Sequence, residues 1–170
     1  MVEMLGVLAI IGVLSVGGIA GYSKAMEKHK INKAIDQISM IVANVETMFS
    51  NTNNYTGLFS AYDLKIFPDD MKYVNDFLVR NTFGLYTKIM GRVNYWTLRY
   101  DVPGRSACIA ILTQNWPSAY KIGAAVRNET DESENDSTAA ANAVDTPISI
   151  SQAGEFCEED VNTTILIDFH

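Results

Sequence analysis

One carboxylate, two thiols, two imidazoles and one acidic stretch are the features of this 170-residue chain whose types and spacing invite a chemical reading. Glu3 stands at the head of an apolar run in which nothing else ionises at neutral pH before Lys24. Met4, Leu5, Val7, Leu8, Ile10, Ile11, Val13, Leu14, Val16 and Ile19 carry the run, and Gly17, Gly18 and Gly21 punctuate its end. A carboxylate inside an apolar helix costs a few kcal/mol unless it is paired, so Glu3 reads as functional. Its position near a helix N-terminus suits the positive end of the macrodipole. In lipid or a packed helix bundle it would seek a cation on a neighbouring chain, and such pairing would set register. The competing reading leaves Glu3 in a headgroup layer.

The other groups support no enzyme. His29 and His170 have no Cys or carboxylate set at ligand spacing. No Gly-rich phosphate loop, HExxH or nucleophile elbow occurs, so no catalytic constellation is found. Residues 128–145 hold Glu129, Asp131, Glu132, Glu134, Asp136 and Asp145 among Ser, Thr, Asn and Ala. Such composition reads as a flexible, solvated surface loop. Calcium is the functional alternative, but the spacing lacks the turn glycine of the best-defined calcium loop, and no cofactor is expected. Asn54, Asn128, Asn135 and Asn162 each begin an Asn-X-Ser/Thr acceptor triplet. In a chain rich in Asn and Thr the pattern alone predicts no glycan. Cys108 and Cys157 read as a disulfide if the protein is exported, and otherwise as two separate buried thiols.

Long elements must position these groups. Residues 2–22 are apolar all round and long enough, at about 1.5 Å per residue, to cross roughly 30 Å of hydrocarbon. A secretory signal peptide does not fit, because no Lys or Arg precedes the run and helix-like sequence follows it directly. A plain single-pass anchor leaves the carboxylate unexplained. Beyond Tyr22 the pattern turns amphipathic. Ile31, Ile35, Ile38, Val42, Val45 and Phe49 recur at three- and four-residue intervals, widened by Ala34, Ile41 and Met48, while Lys33, Asp36 and Gln37 fall largely off the stripe. Residues 1–52 therefore read as one long helix, with 1–23 for a membrane or filament core and 24–52 packing on a head formed by 53–170.

In the head, residues 55–68 read as a loop and 69–79 as a short helix with Val74, Phe77 and Leu78 on one face. Residues 85–90 and 94–102 form a hairpin; Tyr95, Thr97, Arg99 and Asp101 alternate with Trp96, Leu98, Tyr100 and Val102. Residues 105–116 read as a helix with Cys108, Ile111 and Leu112 inward, 120–126 as a third strand, and 163–169 as its neighbour. The fold class is α+β, a long N-terminal helix on a small antiparallel sheet. The net charge of −7 divides into +2 for residues 1–34 (four Lys against Glu3 and Glu27) and therefore −9 for the rest. That acidity argues against a nucleic-acid surface.

Residues 2–15, Val-Glu-Met-Leu-Gly-Val-Leu-Ala-Ile-Ile-Gly-Val-Leu-Ser, resemble the N-terminal segment of type IV pilins and the related pseudopilins. The resemblance implies that a prepilin peptidase removes a short basic leader, that the new N-terminus is methylated, and that Glu3 meets the N-terminal amine of an adjacent subunit. It also implies that this sequence begins two residues inside the mature protein. Loss of a basic leader accounts for the cluster Lys24, Lys28, Lys30 and Lys33 lying beyond the apolar run, on the side opposite to that expected for a membrane span. Family filaments often unwind the middle of the apolar half near a proline that is missing here, so residues 17–21 become the expected place. The order strand, Pro, Cys-bearing helix, strand, loop, Cys, strand is similar to the C-terminal half of pilins and implies a Cys108–Cys157 disulfide bounding residues 108–157.

The implied function is the major structural subunit of a type IV pilus-like filament, a homo-oligomer held in the inner membrane and then assembled by pilus machinery into an extracellular fibre. A minor pilin or a type II secretion pseudopilin is the alternative, and a membrane-tethered monomeric binding domain a further one. The sequence does not specify adhesion, motility, secretion or any other role for the fibre.

Overall fold

Apolar residues at three- and four-residue spacing, with no proline before Pro68, produce a single helix α1 over Val2–Phe49 in the computed structural model of the chain. Its 48 residues extend for about 72 Å at the α-helical rise. The structure describes the backbone of residues 2–52, 54–60, 64–128 and 132–170, and within these the side chains of all but residues 2–17, 20, 59, 60 and 132–134. After a turn and a short 3-10 helix, Thr56–Ser60, the head contains strands β1 (Lys72–Asn75), β2 (Leu78–Arg80), β3 (Tyr86–Gly91) and β4 (Trp96–Pro103). Then follow α2 (Gly104–Leu112), β5 (Ala119–Val126), α3 (Glu132–Ala141), β6 (Val144–Asp145), α4 (Ile150–Phe156) and β7 (Asn162–Phe169).

The seven strands form one sheet in the order β1-β2-β3-β4-β7-β5-β6, and every pairing is antiparallel. The C-terminal strand β7 is inserted between β4 and β5, so its apolar β-branched residues are covered on both edges and both faces. Alternation along β4 sends Trp96, Leu98, Tyr100 and Val102 into the main core, which they share with Ala34, Ile38, Ile41 and Val45 of α1. Helices α2 and α4 join that same core through Ala107, Cys108, Ile111, Leu112 and Ala153. Met48 stays 48 % exposed despite its place on the apolar stripe.

Two expectations fail. Residues 69–79 are not a helix but the β1–β2 hairpin, turned by Asn75, whose Oδ1 accepts the backbone N–H of Phe77 at 3.0 Å. Val74 and Phe77 are exposed there, so no helical apolar face is buried. Residues 128–145 are not a solvated loop but contain α3, which covers the other face of the sheet. Ala139 of α3 is fully buried with Ala125 and Leu166, and Asn135 is buried as well. Two smaller differences concern ends. The helix expected to run to Trp116 stops at Leu112, because Trp116 folds back and donates its Nε1–H to the Ile111 carbonyl at 3.0 Å. The β3–β4 turn lies at residues 92–95, since Gly91 already pairs with Trp96.

The close seat of α3 depends on Gly123 in β5. A Cβ there would lie 2.1 Å from the Ala139 carbonyl oxygen and 2.9 Å from the Cα of Ala143. Gly123→Ala is expected to displace α3 and cost about 1–3 kcal/mol, the range for overpacking a close-packed interface. Chemical denaturation of the variant against the parent measures it.

Candidate assembly surface

From residue 21 to residue 30 every side chain is exposed, whereas 31–49 carry the stripe that packs on the sheet. The helix thus leaves the head and projects its N-terminal part away from the core. Ile19 and Tyr22, 70 % and 68 % exposed, sit with Met26 on one side of this part. Together with Phe83, Ala107 and Val161 they border a cleft of about 800 Å³ between the helix and the head. Burying apolar side chains held out in this way is favourable when another apolar surface arrives, which makes them a candidate partner surface.

The root of the helix is fixed by a polar hub, Gln37, which is 2 % exposed. Its Oε1 accepts from the Tyr100 hydroxyl at 2.8 Å and from the Thr82 backbone N–H at 3.2 Å, and its Nε2 donates to Asp70 at 2.9 Å. Lys33 reaches the same carboxylate at 2.8 Å. Partial burial works to raise the Asp70 pKa, but the bonds from Lys33 and Gln37 outweigh it and hold the carboxyl below the usual range. Burial pushes the Tyr100 phenol far above its ordinary value, so it stays a donor. The expectation that placed Gln37 off the packed stripe is corrected here. Its spacing, three after Ala34 and four before Ile41, already put it on the buried face.

A second set of polar groups lies between the sheet and α3. Arg99 and Asp101, both fully buried, are joined by two 3.0 Å hydrogen bonds from the guanidinium to the two carboxylate oxygens. Thr164 donates to Asp101 at 3.0 Å, and Arg127 lies 3.3 Å from its other oxygen. Asp136 of α3 lies 3.2 Å from Arg99 and 2.5 Å from Lys88. Burial pushes the Asp101 carboxyl above the usual carboxylate range, against the pull of Arg99, Thr164 and Arg127. The cluster ties α3 to the strands by charge in place of a large apolar contact.

Cys108 of α2 and Cys157 after α4 form a disulfide with 5.8 Å between Cα atoms, and Arg105 donates to the Cys157 carbonyl at 2.8 Å. The bridge closes a segment of 49 residues that includes β5, α3 and α4. Replacing both cysteines by serine is expected to cost about 2–4 kcal/mol, read as a lower midpoint in urea.

Among the described residues no three His, Cys, Asp or Glu are arranged to hold a metal ion. Asp136, one member of the calcium reading, is engaged with Arg99 and Lys88. The side chains of Glu132 and Glu134, like residue Asp131, lie outside the described set. So do the side chains of Glu3, Met4, Leu5, Val7, Leu8, Ile10, Ile11, Val13, Leu14 and Val16, and also residue Gly17 apart from its helical backbone. Among the described residues no helix is long and apolar enough to cross a membrane. Gly18 and Gly21 are helical, with no atom near the place a side chain would occupy.

No family model and no curated protein sequence matches the chain. Among solved structures, it is similar to TcpA, a type IV pilin from Vibrio cholerae El Tor biotype, with a TM-score of 0.57 at 12 % identity; the match covers 84 % of this chain and 99 % of that one. The chain has the type IV pilin fold. The expected α+β class, the long helix on an antiparallel sheet, and the Cys108–Cys157 disulfide all stand.

Proposed function

We propose that this chain is the major structural subunit of a type IV pilus-like extracellular filament. The observation that carries the reading is the pilin fold joined to an α1 whose exposed stretch leads directly into the apolar residues 2–17. The helix is stored in the inner membrane after a prepilin peptidase has cut the leader. It then leaves the lipid and packs with the same helix of identical subunits, while the head forms the outer surface of the fibre. Mutual burial of apolar helices supplies the favourable free energy. Repeated heterologous contacts of one chain, turned by a rotation that does not close, give a helical fibre and not a ring. Glu3 pairs with the N-terminal amine of the adjacent subunit and so selects the axial register.

Residues 1–52 act as the assembly helix and 53–170 as the displayed head. Electron microscopy of material sheared from producing cells, with mass spectrometry of the intact subunit, tests the reading. Long uniform fibres made mainly of this chain, bearing a methylated N-terminus, are expected. A processed chain that stays in the inner membrane and is absent from fibres would instead indicate a minor pilin or a secretion pseudopilin.

A further inference from the structure

The four acceptor triplets of the sequence are not equivalent in the fold. Asn135 is 2 % exposed, and its side chain is spent on the backbone of Asn128, donating to the carbonyl at 2.8 Å and accepting from the N–H at 2.5 Å. A sugar on that nitrogen would expel α3 from the sheet. Asn162 is half-buried in β7, paired with Pro103 on one side and bonded through its carbonyl to the Arg127 N–H on the other. The hydroxyl residue of the Asn128 triplet lies outside the described residues.

Asn54 differs from all of these. Asn54 and Thr56 are both exposed, and between them Tyr55 is buried against Phe49, with its backbone N–H bonded to the Arg92 carbonyl at 2.9 Å. The anchored middle residue holds the two outer ones toward solvent. Asn54 Oδ1 accepts from the Thr56 hydroxyl at 2.7 Å and from the Thr56 backbone N–H at 3.1 Å, while its Nδ2 has no hydrogen bond to a described residue. The amide and the hydroxyl that an acceptor triplet needs are thus presented as one unit, and its nitrogen has no competing partner among the described residues.

We propose that Asn54 is an N-glycosylation site, modified by a sugar chain carried on a polyprenyl diphosphate. The Asn54 Nδ2 forms a bond to the anomeric carbon. The bond from that carbon to the diphosphate oxygen breaks, polyprenyl diphosphate leaves with the electron pair, and one amide proton passes to a base of the transferase. Because such carriers serve exported chains, the site rests on the export that the filament reading requires. The folded head accommodates the product: the modified nitrogen stays in solvent and Oδ1 keeps both Thr56 bonds.

The test is mass spectrometry of the tryptic peptide spanning residues 34–65, taken from the full chain made in its native cells. Asn54→Gln, Thr56→Ala and Thr56→Ser variants are compared with the parent, and thermal unfolding checks that each still folds. A saccharide increment on the parent peptide is expected, lost in Asn54→Gln and Thr56→Ala and retained in Thr56→Ser. An unmodified parent peptide, or an increment that persists in Asn54→Gln, overturns the site. The N-terminal peptide of the same digest separates the two claims: a processed, methylated terminus beside an unmodified Asn54 refutes the glycan alone, and an unprocessed terminus takes the filament reading with it.

Discussion

Substituting Glu3 by alanine is expected to abolish fibre formation while leaving the head folded and the chain in the membrane. The carboxylate is a poor resident of an apolar helix, at a cost of a few kcal/mol, so a register role is what offsets its presence. Removing it makes the apolar helix more hydrophobic, and membrane retention should if anything rise. What is lost is the charge that distinguishes one axial offset from the next, because apolar helix surfaces slide past one another with little change in buried area. Glu3→Gln separates charge from shape: it keeps the side chain's size and hydrogen-bonding oxygen but not its charge, and should also fail to assemble. Fibre yield by shearing, scored against total membrane-bound subunit, measures both. Normal yield from Glu3→Ala would sink the register argument.

The second large effect is expected inside the head. Arg99→Leu should destabilise by about 3–5 kcal/mol at neutral pH, the range for breaking a buried ion pair on one side. Asp101 would be left fully buried with only Thr164 and Arg127 near its carboxylate, and α3 would lose one of the two cations at Asp136. The sign of the pH dependence follows. Burial already raises the Asp101 pKa, and removing Arg99 raises it further. A group whose folded pKa is raised contributes stability below its unfolded pKa and loses it as pH rises through the folded one. The deficit of Arg99→Leu should therefore be largest near neutrality and shrink as the pH falls into the carboxylate range. Urea denaturation at pH 7 and at pH 4 reads both the size and the slope. A deficit that stays the same from pH 7 to pH 4 would show that Asp101 remains ionised without its partner.

The parts of this fold that could be read in the sequence are those whose signal is local and periodic. The i, i+3, i+4 stripe from Ile31 to Phe49 and the strict alternation from Tyr95 to Val102 needed no knowledge of what they pack against. The run at 163–169 was apolar enough to demand cover on both edges, and β7 has it. What escaped were elements whose reason lies far along the chain. Residues 128–145 contain too little apolar surface to announce a buried helix. Their cover comes from Ala139 seated against Gly123, and from Asp136 meeting Lys88 and Arg99, partners about 37 to 48 residues earlier by their numbers. Residues 69–79 misled for the opposite reason: acidic residues and an i, i+3, i+4 apolar set imitate a helix start, but Asn75 caps a tight turn instead. Gln37 was assigned by its polarity when its spacing already placed it inward. Of the candidate assembly surface, sequence showed the apolar half and its carboxylate; the exposed side at Ile19 and Tyr22 and the cleft beneath it needed the fold.

The central claim is that one chain builds a fibre through its N-terminal helix, and a helical reconstruction of purified fibres by cryo-electron microscopy tests it most directly. The account predicts a core of bundled α1 helices with the heads outside. Glu3 should lie within ion-pair distance of a neighbour's N-terminal amine, and helical density should be interrupted at residues 17–21. Continuous helical density through those residues would refute the unwinding alone. Fibres built of another chain, or heads stacked with their α1 helices away from the axis, would contradict the whole account.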